Sequence, residues 1–194
     1  MQDRFNHLLA VISGQRFLTR QGLGNEVPFF ICPYRAEEAV EMARMRRQLV
    51  AHLQLASVNV LEINLYNLSI QLLQKRDILS RILEIEPTVS KEQLLELLQG
   101  VLDPEHHLIP AIADELENST CQVLFLSGVG EVFPFIRSHN VLNNLQSTAT
   151  RQPTVMFFPG AYTHSLETGA SLDLFSRLHD DKYYRAFNIF HCEV

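Results

Sequence analysis

Apolar residues in this chain fall into two kinds of run, and their spacing predicts the elements. Near the start, Phe5, Leu8, Leu9 and Ile12 recur at helical spacing ahead of Gly14, which predicts an amphipathic helix stopping near that glycine. After a turn over residues 20–26, the run from Val27 to Tyr34 (VPFFICPY) is apolar at odd and even positions alike. That pattern suits a strand buried on both faces. From Arg35 to Ala56 there is neither Gly nor Pro, and Ala36, Ala39, Val40, Ala43, Val50 and Leu53 mark one face of a long helix. Val58 to Leu65 reads as a second strand, in which Glu62 and Asn64 place polar groups on one face that needs a partner.

Residues 66–118 read as helical throughout. Ser90 and Gln93 have the spacing of a capping box, Gly100 marks a stop, and Asp103 with Pro104 marks a new start. Cys121 to Ser127 gives a third strand, Pro134 to Gln146 a helix opened by a proline, and Pro153 to Phe158 a fourth strand. Beyond Pro159 and Gly160 the pattern predicts a polar loop, a short helix around Leu172 to Leu178, and a last strand from Tyr184 to Phe190. Strands alternating with helices require crossover connections. The expected fold class is therefore α/β: a mainly parallel sheet of about five strands with helices on both faces, Rossmann-like or degenerate P-loop-like. A single domain over 1–194 is expected, with 66–118 a helical insertion between the second and third strands, because a chain of 194 residues suits one well-buried core.

Composition narrows the classes. A hydrophobic fraction of 46% and a charged fraction of 20% are those of a globular protein. The net charge of −6 and pI of about 5.7 remove the overall positive field that non-specific binding to DNA or anionic lipid would use. Cys32, Cys121 and Cys192 are odd in number and far apart, which suits a reducing compartment, so the cytoplasm is expected. No run approaches the roughly 18 apolar residues of a membrane span, and the apolar run in residues 1–14 is too short for a signal peptide. No membrane association is expected.

In a parallel sheet, ligands sit beyond the carboxyl ends of the strands, so candidate chemistry is sought there. After the first strand come Pro33, Tyr34 and Arg35, after the second Tyr66 and Asn67, after the third Ser127, Gly128, Gly130 and Glu131, and after the fourth Pro159, Gly160, Tyr162 and His164. A phosphate-binding loop would belong at CPYRAEEA, which has no glycine or lysine and sets Glu37 and Glu38 in the first helical turn, where they would repel phosphate. Gly128 and Gly130 match the start of G-x-G-x-x-G, but Phe133 stands at the third glycine. Arg35, Gly128, Gly130 and Glu131 are retained as nucleotide-site candidates, with a turn requiring glycine as the simpler reading of the pair.

Other constellations are incomplete. Ser127 ends a strand without the G-x-S-x-G elbow, and His139 shares a helical stripe with Phe135 and Leu142, which suits a packed core-edge histidine. His106 and His107 are adjacent and point to different helix faces. His179, Asp180, Asp181, His191, Cys192 and Glu193 include zinc-binding types at no recognised ligand spacing, so neither metal nor cofactor is expected. Arg44, Arg46 and Arg47 form a candidate nucleic-acid patch, with Glu37, Glu38 and Glu41 close by to pair with it.

Four segments, FFICPYRAEEA, GVGEVFPFIRSHNVLNNL, PTVMFFPGAYTHSLETGASLDLF and DDKYYRAFNIF, resemble the BrxB family of bacteriophage exclusion (BREX) systems, and the resemblance runs from about Pro28 to the C-terminus. It implies a setting rather than a chemistry. BrxB-like proteins are encoded beside a large ATPase, a DNA methyltransferase and a PglZ-type protein, and the family offers no catalytic residues to transfer. The expectation is a non-catalytic adaptor that binds another BREX subunit, the PglZ-like one before the ATPase or the methyltransferase, through aromatic surface such as Phe133, Tyr162, Tyr183 and Tyr184. Phe135 is assigned to the core. The alternatives are a degenerate nucleotide-binding domain and a nucleic-acid contact through the three arginines.

Overall fold

The structure, a computed structural model, describes residues 1–21, 28–149, 151–165, 169–178 and 186–194. Two N-terminal helices, α1 (Gln2–Ser13) and α2 (Gln15–Leu18), precede strand β1 (Phe29–Tyr34), a 3-10 turn at Ala36–Glu38 and helix α3 (Ala39–Leu55). Strand β2 (Val60–Asn64) leads into helices α4 (Leu65–Lys75), α5 (Leu79–Ile85) and α6 (Lys91–Val101), a π-helical turn at Pro104–Leu108, and α7 (Ile109–Glu117). Strand β3 (Val123–Ser127), helix α8 (Ser138–Leu145), the long strand β4 (Thr154–Ser165), β5 (Gly169–Leu174) and the short β6 (Phe187–Asn188) follow, and a 3-10 turn at Ile189–His191 comes near the end.

The strands form one sheet in the order β2-β3-β4-β1-β6, all parallel, and β5 pairs antiparallel with the far half of β4. This is the expected mainly parallel α/β architecture, with six strands rather than about five. Alternation along each strand divides the apolar side chains between two layers. Phe30, Cys32, Phe125, Val155 and Phe157 face α1 and α3, whose Leu8, Ile12, Met42 and Leu49 complete that core. Ile31, Leu124, Leu126, Met156 and Phe158 face the helices of the 66–118 segment and α8. Both faces are covered, which is why the strands read as continuous apolar runs.

Several local expectations are corrected. The buried stripe of α3 is Met42, Met45, Leu49 and Leu53, while Val40 is 77% exposed; the predicted alanine face is displaced around the helix because the long methionines reach the sheet. Gly100 lies inside α6 rather than ending it, and the helix closes at Leu102. Pro134 opens no helix: the Phe133–Pro134 bond is cis, and α8 begins four residues later at Ser138. The fourth strand does not stop at Phe158, since β4 runs on through Pro159 and Gly160 to pair with β5. The short helix around Leu172 to Leu178 is instead the end of β5 and a turn, with Leu172 and Leu174 buried at the period-2 spacing of a strand. Of the predicted last strand, Tyr184 and Arg185 lie outside the described residues, and Phe187 to Phe190 form the two-residue β6 and part of the following turn. Among the described residues no helix is long and apolar enough to cross a membrane.

Candidate functional site

Parallel pairing brings the ends of β1, β2 and β3 to one edge of the sheet, and the register sets Asn64 beside Ser127 and Tyr34 beside Pro159. Asn64 caps α4 by accepting the Asn67 backbone N–H at 3.0 Å. Its amide also lies against Gly128, whose φ of +76° places it in the left-handed region, and a Cβ there would come within 2.7 Å of the Asn64 Oδ1. A Cβ on Gly130 would come within 3.0 Å of the Phe175 ring and the Pro159 ring. The two glycines of the turn thus admit side chains of the protein itself, one from β2 and the others from the β4–β5 hairpin.

The end of β1 is closed by an ionic cluster. The Glu38 carboxylate accepts the Arg35 backbone N–H at 3.2 Å and a guanidinium N–H of the same residue at 3.3 Å, and it accepts the Arg4 Nη1 at 3.1 Å. Arg4 also donates to the Pro33 carbonyl at 2.8 Å and lies over the Phe190 ring at 5.0 Å. The Arg35 N–H, and secondarily Arg4, hold the Glu38 carboxyl below its ordinary value. Arg4 carries no sequence signal for this role, because its partners lie far along the chain. Its spacing on α1, four residues before Leu8 and eight before Ile12, sets it on the buried stripe at the helix's first turn.

Beside this cluster, Arg46 donates its Nε to Glu62 Oε1 at 2.6 Å and lies over the Phe157 ring at 5.6 Å. That answers the polar face predicted for β2. It also separates the three arginines, since Arg46 turns inward while Arg44 and Arg47 are exposed, so they form no single patch. Of their expected acidic partners, Glu38 instead serves Arg4 and Arg35. The half-buried Tyr34 sits within the influence of Arg46 and Glu131, and burial pushes its phenol up, with Glu131 adding to the rise and Arg46 opposing it. Ser127 is fully buried, and its hydroxyl has no hydrogen-bond partner among the described residues. It is therefore not presented as a nucleophile at the surface.

The remaining candidates scatter. Tyr162 is buried and its hydroxyl donates to the Ala186 carbonyl, so it ties the C-terminal segment to β4 rather than standing on the surface. Phe133 and Phe135 are half-buried against the core. His139 is buried in the same layer as Leu142. His106 is exposed and its Nδ1 lies 2.7 Å from Asp103, which raises its pKa, whereas burial lowers that of His107. Tyr183, Tyr184, His179, Asp180 and Asp181 lie outside the described residues, as does the structure of His164 beyond its backbone pairing in β4. Among the described residues no three His, Cys, Asp or Glu side chains gather as a metal site, and the three cysteines are unpaired.

The family model for BREX protein BrxB matches residues 61–189. A BREX protein BrxB from Bacillus cereus (strain H3081.97) is 32% identical over 197 residues, covering 97% of this chain and 97% of the relative. The chain belongs to the BrxB family. A second BREX protein BrxB, from Escherichia coli O9:H4 (strain HS), is 27% identical and covers 97% of the chain and 91% of its own length. No solved structure matches. As a BrxB-family protein the chain is a component of BREX phage defence and works with other BREX proteins.

Proposed function

We propose that this BrxB-family chain is a non-catalytic adaptor of its BREX complex, acting through protein contacts, with the PglZ-like subunit as its partner. The observation that carries the reading is the state of the sheet's carboxyl edge, where an α/β enzyme would hold its ligand. Asn64 fills the space above Gly128, Phe175 and Pro159 fill that above Gly130, and Arg4, Arg35 and Glu38 close the end of β1. Side chains of the protein thus stand where a phosphate or substrate would enter. The function then lies on the outer surface, as for a subunit whose work is to hold others. Pull-down of the tagged chain from cells carrying the whole defence locus, followed by gel filtration of the purified pair, tests the proposal. Stoichiometric recovery of the PglZ-like protein and co-elution at micromolar concentration are expected, and separate elution rejects the pairing.

A further inference from the structure

One surface feature lies outside the carboxyl edge. A groove of about 240 Å³ runs between the loop after β3 and the turn after β5. Its floor is apolar, built from Val129, Phe133, Ile136 and Leu172. Val129, Ile136 and Leu172 belong to the packed layer beneath, so the floor is held by the core. Arg137 and Arg177 also line it, and among the described residues the lining contains no carboxylate. Neither arginine makes an ion pair or side-chain hydrogen bond among the described residues. In a chain of net charge −6, two guanidinium groups on one apolar hollow with no acidic partner among the described residues are a local reversal of sign.

The turn that carries Arg177 is held in place. Phe175 and Ser176 both have φ of +55°, a conformation that bulky side chains rarely adopt and that persists where surrounding contacts enforce it. Here the Phe175 N–H donates to the Pro159 carbonyl at 2.8 Å, and Leu174 and Leu178 exchange two backbone hydrogen bonds at 3.1 and 3.0 Å. The turn leaves Phe175 37% and Leu178 43% exposed, so apolar surface continues from the groove over its lip.

We propose that this groove docks an acidic segment of a partner protein, with an apolar side chain of that segment on the floor and its carboxylates on Arg137 and Arg177. Charge complementarity fixes the sign of the partner, since a carboxylate can pair with the guanidinium fork in bidentate fashion. The floor selects a protein segment over a nucleic acid. A phosphate backbone is bound by a succession of cations, whereas two cations bracketing an apolar hollow favour burial of an apolar anchor inside a charged rim. The proposal rests on the adaptor reading and adds to it the docking surface and the chemistry of the partner.

The test uses the full chain and a fluorescein-labelled peptide in which leucine and phenylalanine are flanked on both sides by glutamate and aspartate. Anisotropy is expected to show saturable binding that weakens as salt is raised. The Arg137→Glu, Arg177→Glu double variant is expected to weaken it by about tenfold or more, and replacing the peptide's two apolar residues by serine to weaken it by about as much. The Arg137→Lys, Arg177→Lys variant, which keeps the charge and loses the fork, is expected to fall in between. Both arginines are exposed, so an unchanged thermal midpoint is expected to show that the variants fold. Equal peptide binding by wild type and charge-reversed protein overturns the proposal, as does tighter binding of an oligothymidylate that displaces the peptide. The whole-locus pull-down separates the two readings. Undiminished partner recovery with the charge-reversed chain overturns the groove and leaves the adaptor standing. Recovery of no BREX protein by the wild type overturns the adaptor, while the peptide titration still decides the groove.

Discussion

Arg46 shows how one side chain can settle a face that its own segment leaves open. Glu62 lies on β2, within an apolar strand, and its carboxylate is matched by the Arg46 Nε at 2.6 Å with both side chains less than a third exposed. The guanidinium also covers Phe157, so truncation removes an ion pair, a ring contact and packed methylenes together. Arg46→Ala is expected to destabilise the fold by about 2 kcal/mol, because it leaves Glu62 unpaired in a partly buried place. Arg44→Ala and Arg47→Ala, at exposed positions, are expected to stay within about 0.5 kcal/mol of the parent. Urea unfolding of the three variants checks this, and equal effects at all three positions would remove the distinction drawn between an inward and an outward arginine.

At the scale of elements, the β4–β5 hairpin and α6 make opposite demands on glycine. Gly160 sits where β4 leaves the parallel sheet and begins pairing with β5, opposite Leu174, and a Cβ there would collide with the Asp173 carbonyl oxygen and the Phe158 ring. Gly160→Ala is therefore expected to cost about 3 kcal/mol through forced separation of the two strands. Gly100, inside α6, has nothing within 4 Å of where a Cβ would stand. Gly100→Ala is expected to stabilise by about 0.5 kcal/mol through helix propensity and a less flexible unfolded chain. Thermal denaturation of the two variants should move the midpoint in opposite directions, and a common direction contradicts this account of the hairpin.

For the whole molecule, burial couples stability to alkaline pH. The Cys32 thiol, enclosed between β1 and the α1–α3 layer, is pushed from 9.0 up to about 12 by burial, with Arg4 opposing. The Tyr162 phenol is pushed from 10.0 up to about 12 by the same cause, and Tyr34 moves in the same direction. As pH rises past 9, the unfolded chain gives up the thiol proton while the folded chain retains it, so the unfolded state gains. Stability is fully present below that value and falls between it and about 12, with Cys32 contributing at most about 1.4 kcal/mol per pH unit. Urea midpoints across this range should fall, and Cys32→Val should remove the portion that begins at the thiol's own value. A midpoint level through pH 10.5 would mean that the thiol is not enclosed as described.

The pattern of apolar residues was enough to establish the class of fold and the place of most elements. Continuous apolar runs from Phe29 and Val123 mark strands covered on both faces, and Ser90 with Gln93 forms the capping box that their spacing announces. These signals are local: a period, a cap or a run is complete within a dozen residues. The hairpin was not legible, because Pro159 and Gly160 are turn-formers by type, and only pairing with β5 extends the strand through them. The Gly128 to Glu131 turn looked open from its sequence, and only Asn64 from β2 and Phe175 from the hairpin fill the space above its glycines. The same holds for Arg4 against Glu38 and for Arg137 beside Arg177, pairs separated by 34 and 40 positions. Sequence alone determined which segments must be buried, since burial follows from side-chain chemistry. The tertiary structure decided which side chains meet at the carboxyl edge and at the groove, since those contacts depend on the register and crossing of distant segments.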